Sequence, residues 1–236
     1  MDRAASLAKK APIMLELWGN LAPLIIVSAA LPLQTILTLQ LVRSSTRAAF
    51  AWVTGMTTVR LLQGFLFGIV FAASEERAGP DSPRFVLAGL LLILALLLYV
   101  KALRKLLGAE DEDAPPPQWL TKAGSMSPLA AFAAGAGFMT VSVKFLVFTL
   151  GAISAIAEAA VDARLSVLTF IIFVVLAEIA PLMILALAAI PSSQSAAMLD
   201  AFREWLRRNN RLITIVIGVV FGTWFLLKAL KQLHAI

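Results

Sequence analysis

Apolar residues fill six long stretches of this chain, at about 14–42, 47–73, 85–107, 127–157, 164–190 and 210–232. A helix needs about 20 such residues to cross ~30 Å of hydrocarbon, and each stretch is long enough. The pattern predicts an all-α polytopic membrane protein with six transmembrane helices. A shorter element is predicted before the last span, from Ser192 to Arg208, with residues 194–208 helical. Met198, Leu199, Phe202, Trp205 and Leu206 share one face of it, while Asp200, Arg203, Glu204, Arg207 and Arg208 lie on the others. Apolar spacing of i, i+1, i+4, i+7, i+8 with arginines and a tryptophan marks an amphipathic helix in the plane of the membrane interface. It is either a brace for the last span or a lever and lipid-sensing surface.

The third and fourth spans are joined by a different kind of sequence. Gly108 to Met126 holds Glu110-Asp111-Glu112-Asp113 followed by Pro115-Pro116-Pro117. Acids and a proline run give a solvated, semi-extended connection, serving as a linker or a docking site. The linker, 108–126, separates one three-helix unit at 1–107 from another at 127–236. Three spans per half insert with opposite orientation, the arrangement of two inverted repeats. Depths agree with this: Pro32 in the first span matches Lys144 in the fourth, and Arg60 in the second matches Glu178 in the fifth.

Composition narrows the classes. The chain has 236 residues, of which 60% are hydrophobic and 14% charged, too apolar for a soluble domain of this length. The start, Met1 to Ala11, is polar, runs into a segment too long for a signal h-region and lacks a small-residue cleavage site, so the first span is expected to stay. The net charge of +6 reads as loop lysines and arginines that set orientation and touch anionic headgroups. With no basic soluble domain, nucleic acid is not expected as a partner. Eight Lys and Arg flank the spans on the N-terminal side against ten on the other, which leans toward a cytoplasmic linker with both termini outside. Cysteine is absent and the one histidine, His234, lies three residues from the end, where it is expected to be solvated. Thiolate chemistry, a metal site and a cofactor are therefore not expected, and no nucleophilic triad suggests an enzyme.

Three ionisable residues lie deep inside apolar runs: Arg60, Lys144 and Glu178. A charge at the centre of a spanning helix costs about 2.5–3.5 kcal/mol on insertion scales, so such residues face a cavity or one another. Thr57, Arg60 and Gly64 share a helix face at i, i+3, i+7, and a guanidinium fork suits a carboxylate, sulfate or phosphate. The alternative is a buried Arg60–Glu178 ion pair that holds two helices together. Lys144 follows Thr140 and Ser142 and is either a substrate or proton site or a snorkelling, paired lysine. Glu178 precedes Pro181, whose missing amide frees the carbonyl of Ala177. It is the one acid of the core and the candidate for a coupling proton. Pro23 and Pro32 interrupt the first span, where Ser28, Pro32 and Thr35 share a face beside Gln34, a composition that builds sites in transporters. Gly64-Phe-Leu-Phe-Gly68 and Gly218-Val-Val-Phe-Gly222 allow close helix approach, within the chain or in a homodimer.

The order of these features resembles the LysE superfamily of small exporters, most closely its GAP branch of peptidoglycolipid- or sulfolipid-addressing proteins. The resemblance rests on Ala30-Leu31-Pro32, Gly55, the charged central linker, Pro181, Trp205-Leu206 with Asn209-Asn210, and Gly218 and Gly222 in the last span. Where LysE-type exporters carry Asn-Pro-Lys, this chain reads Ser142-Val143-Lys144 and keeps the lysine. The resemblance implies outward secondary transport of amino acids or lipid-linked molecules, and an integral protein of a bacterial inner membrane. The core's formal +1 from Arg60, Lys144 and Glu178 favours an anionic or zwitterionic small molecule or lipid as guest, with membrane lipids as neighbours. Two other functions fit the pattern: a scaffold for lipid export or synthesis, and, with a single core acid arguing against it, a divalent-cation exchanger.

Overall fold

The computed structural model describes residues 2–78, 82–108, 126–190 and 193–234, so the acidic and proline-rich part of the linker lies outside the described residues. The described residues form nine α-helices and no strand. They are α1 (Asp2–Ala30), α2 (Pro32–Ser44), α3 (Thr46–Ala78), α4 (Ser82–Leu106), α5 (Pro128–Val141), α6 (Val143–Glu158), α7 (Ala163–Ala177), α8 (Ile179–Ala188) and α9 (Ser193–His234). Four helices are long and apolar enough to cross a membrane, within Pro12–Ala30, Thr46–Ala72, Phe85–Leu106 and Arg208–Leu233. The pairs α5–α6, bent by 69°, and α7–α8, bent by 62°, bring the number to six.

Three of the predicted spans are therefore not single helices. The stretch at 14–42 is α1 followed by α2, broken at Leu31, whose φ of −66° and ψ of 118° are the extended geometry a following proline imposes. Pro32 opens α2, where its missing N–H costs nothing. The carbonyl that this N–H would have served, that of Ser28, instead accepts from the Gln34 side chain at 2.8 Å. Pro23, expected to interrupt the span as well, sits inside α1 without ending it. The stretch at 127–157 breaks at Ser142, which closes α5 and opens α6 in extended geometry (φ −79°, ψ 97°). No glycine or proline marks this break; Thr140, Val141, Ser142 and Val143 are all weak helix formers. The stretch at 164–190 breaks at Glu178 itself (φ −105°, ψ 16°), with Pro181 in the first turn of α8.

The interfacial element also differs from expectation. Ser193–Arg208 is helical and carries an exposed apolar face with Met198, Phe202 and Trp205, but it runs into the last span without a break as one 42-residue helix. At 1.5 Å per residue that helix is about 63 Å long, twice the hydrocarbon thickness. Leu206 turns inward onto Leu39 of α2 and Ile184 of α8, and Asp200 ion-pairs with Arg43 at 2.5 Å. The start of this helix is thus held to α2 and α8.

The core is built by close helix pairs. α3 crosses α5 where Gly55 lies against the backbone of Phe132 and Gly135 lies against that of Trp52, so each glycine accommodates the other helix's main chain. Along α9, Gly218 faces Leu98 and Ala102 of α4, and Gly222 faces the Tyr99 ring. The second GxxxG pattern thus packs inside the chain. Around these contacts most large apolar side chains that are not in the core face outward, Leu15, Phe65, Leu129 and Val141 among them, as a lipid solvent allows.

Candidate functional site

Arg60 is the largest fully enclosed side chain among the described residues, 0% exposed, and the next largest are all apolar. It lies 14 residues after Thr46 and 12 before Ala72, at the middle of the α3 span. Elements from both halves converge on it. Its Nη2 donates to Ser28 Oγ of α1 at 2.9 Å and its Nε to Thr149 Oγ1 of α6 at 3.4 Å. The rings of Phe145 on α6 and Phe173 on α7 lie 5.6 and 5.4 Å from the guanidinium carbon, in cation–π range. Its Nη1 stands 3.6 Å from Glu178 Oε1, and neither atom has a hydrogen bond. A relaxed charge-assisted contact closes to about 2.7–2.9 Å, so the two charges face each other across a slightly open gap.

Glu178 is 1% exposed and sits at the junction of two half-helices, closing α7 and opening α8. Its other oxygen, Oε2, lies 2.5 Å from Thr57 Oγ1, one turn before Arg60 on α3. The Thr57 hydroxyl also lies 2.9 Å from the carbonyl of Val53. α3 therefore brings both partners to the carboxylate, Thr57 to one oxygen and Arg60 to the other, as the i, i+3 spacing requires. The C-terminus of α7 and the N-terminus of α8 meet at the same point, where their opposite dipole ends offset one another.

Of the residues singled out from the sequence, Arg60, Glu178 and Thr57 meet. Ser28 joins them, whereas Pro32, Gln34 and Thr35 serve the break beside it: Thr35 Oγ1 donates back to Leu31 O at 3.5 Å. Pro181 lies three residues beyond Glu178 and carries α8 away from the site. The others do not converge on the pair. Lys144 lies half-buried in the first turn of α6, one residue before Phe145, whose ring covers Arg60. Ser142 forms the α5–α6 break two residues earlier, and Thr140 is exposed, donating to its own helix at Ala136 O. Sequence reasoning missed Thr149, Phe145 and Phe173. The signal for Thr149 was present: a buried guanidinium has more donors than one carboxylate can accept, so core hydroxyls on neighbouring spans are required.

The chain from residue 20 to residue 231 matches the family model described as Sap, sulfolipid-1-addressing protein. No curated protein and no solved structure matches it.

Proposed function

The chain belongs to the sulfolipid-1-addressing (Sap) family, and from that premise we propose that it is a secondary transporter moving an anionic, lipid-linked molecule through the Arg60–Glu178 site at mid-membrane. The enclosed pair carries this reading: two charges in a bilayer's centre, 3.6 Å apart, at a helix break. A sulfate, phosphate or carboxylate headgroup takes the place of the Glu178 carboxylate on the guanidinium fork. Glu178 then takes up a proton, so no uncompensated charge is left in the core.

The Thr57 contacts support the protonated form as one state of the cycle. One hydroxyl proton cannot serve both Val53 O and Glu178 Oε2. Both contacts are satisfied when the carboxyl donates to Thr57 Oγ1 and Thr57 donates to Val53 O. Opening of the site is assigned to the bends at Ser142 and Glu178. The reading of two inverted three-helix repeats is supported by the broken first span of each half, at Leu31 and Ser142. The pairing of α3 with α5 and of α7 with α1 also agrees with it, since a two-fold relation would exchange those pairs.

Reconstitution in proteoliposomes tests the proposal, with a fluorescent sulfated lipid in one leaflet and an imposed pH gradient. Wild type is expected to translocate it faster under the gradient, and Glu178→Gln to lose that dependence. Unchanged rate and unchanged gradient dependence in Glu178→Gln overturn the coupling role. A membrane scaffold for lipid export is the second reading, favoured by the extended start of α9, where Phe202 and Trp205 stack with centroids 6.1 Å apart beside exposed Met198. No flux together with co-purifying partner proteins would select it.

A further inference from the structure

The face of α3 next to Arg60 lines a groove. It begins at Leu61 and Gly64 and continues past Gly68, with Phe170 of α7 on its far wall and a volume of about 270 Å³. A second cavity of about 370 Å³ shares Gly68 with it and carries it on to Phe71, Ala72 and Ala160. From Leu61 to Ala72 the groove follows α3 for roughly 16 Å, the depth of one leaflet, starting beside the mid-membrane charge. Ser166 is the one polar side chain lining its inner part among the described residues, and its hydroxyl lies within reach of its own helix's carbonyls at Val161 and Asp162. The groove is open outward, where Phe65 is 67% exposed.

A chain of aromatic rings links this groove to the charged site. Phe170 closes its inner side, with its ring where a Gly64 side chain would otherwise be. The Phe170 ring packs on Phe173 with centroids 5.9 Å apart, and Phe173 covers Arg60. We propose that the groove between α3, α6 and α7 is a lateral portal that holds one acyl chain of the transported lipid, with Phe170 as the gate between chain and headgroup site. The occupant is a single chain because a second helix, about 10–12 Å across, does not fit a slot of this volume, whereas a chain of one leaflet's length does. Gly68 gives the slot its depth: a side chain there would meet nothing within 4 Å and would project into the groove. The GxxxG pattern on α3 thus serves differently from that on α9. This inference rests on the transport reading for the identity of the lipid, but it is tested by occupancy and not by flux.

The protein in nanodiscs is photolabelled with two lipids of identical chains, one sulfated and one phosphatidylcholine, each carrying a diazirine near the end of one chain. Labelled peptides are then mapped by mass spectrometry. Labels are expected to concentrate on residues 61–72 and 166–171 with both lipids. Gly68→Leu should lower that labelling roughly tenfold, the equivalent of about two methylenes of lost burial. Gly89→Leu, on α4 and equally free of neighbours within 4 Å, should leave it unchanged. Phe170→Ala should move labels inward to Phe173. Labels spread over all exposed helices, or indifferent to Gly68→Leu, overturn the portal, as do protein–protein crosslinks showing a second copy in the groove. Groove labelling that persists in a preparation without flux would overturn the transport reading alone.

Discussion

The strongest test of the core is a double-mutant cycle on Arg60 and Glu178, because their burial makes the coupling large. Glu178→Leu leaves the guanidinium with the oxygens of Ser28 and Thr149 and two ring faces as its remaining partners. Arg60→Met leaves the carboxylate with Thr57. Removing one member of a buried ion pair costs about 3–5 kcal/mol, since the other charge stays in a low-dielectric interior. For a chain of this length, about 2–4 °C per kcal/mol, each single substitution should lower the melting temperature by about 10 °C. The double variant holds no charge at the site and replaces the pair with apolar groups of similar length. It should lose less than either single variant, for a coupling energy of about 3 kcal/mol or more. Thermal unfolding of the purified protein, followed by the fluorescence of its five tryptophans, measures all four corners. Additive effects, with a coupling below about 0.5 kcal/mol, would refute the direct opposition of the two charges. A double variant that is stable yet translocates nothing would separate the latch from the site it closes.

Two further outcomes follow from the same geometry. Ser28→Ala and Thr149→Ala each remove a neutral acceptor from a charged donor, worth about 1.5–3 kcal/mol, with Ser28 at 2.9 Å the costlier and Thr149 at 3.4 Å the milder in the same melting assay. Gly55→Leu and Gly135→Leu drive a side chain into the facing backbone of Phe132 and Trp52, so both should lose at least ~1–3 kcal/mol and express as aggregates by size-exclusion chromatography, while Gly89→Leu stays monodisperse; equal behaviour at all three positions would refute the close α3–α5 crossing.

Much of this was legible because lipid leaves few choices. Long apolar runs must be helices, and the bounds of α3, α4 and the last span follow the runs closely. The pairing of Arg60 with Glu178 was also legible, as one of two alternatives, because a mid-membrane charge needs an opposite one. What was not legible has a common cause. Breaks at Leu31, Ser142 and Glu178 lie inside unbroken apolar runs, and hydropathy does not register a change of direction. Pro32 announced its break through the geometry it imposes on Leu31, and Pro181 announced the break at Glu178 through the carbonyl of Ala177 that it leaves free, but Ser142 carries no such mark. The continuity of α9 was hidden for the opposite reason: its amphipathic first part reads as a separate surface helix, yet nothing in Asn209-Asn210-Arg211 is strong enough to stop a helix that tertiary contacts at Leu206 and Asp200 hold in line.

On the proposed transport reading, the position of Glu178 at a helix break makes this acid, rather than a lysine or a hydroxyl, the movable part. The guanidinium of Arg60 is fixed by Ser28, Thr149 and two rings on three helices, and the N-terminus of α8 is fixed by the backbone. The guanidinium is the source of positive potential there, since the positive end of α8 is offset by the negative end of α7. The negative partner alone is replaceable, by rotation of a side chain at the hinge or by protonation. On the proposed transport reading, an anion arriving at mid-membrane meets the fixed guanidinium, and the binding of its headgroup requires Glu178 to yield its place. That reading makes exchange stoichiometric, one headgroup against one carboxylate charge. It also accounts for an enclosed pair held at 3.6 Å in a core that is otherwise mostly apolar.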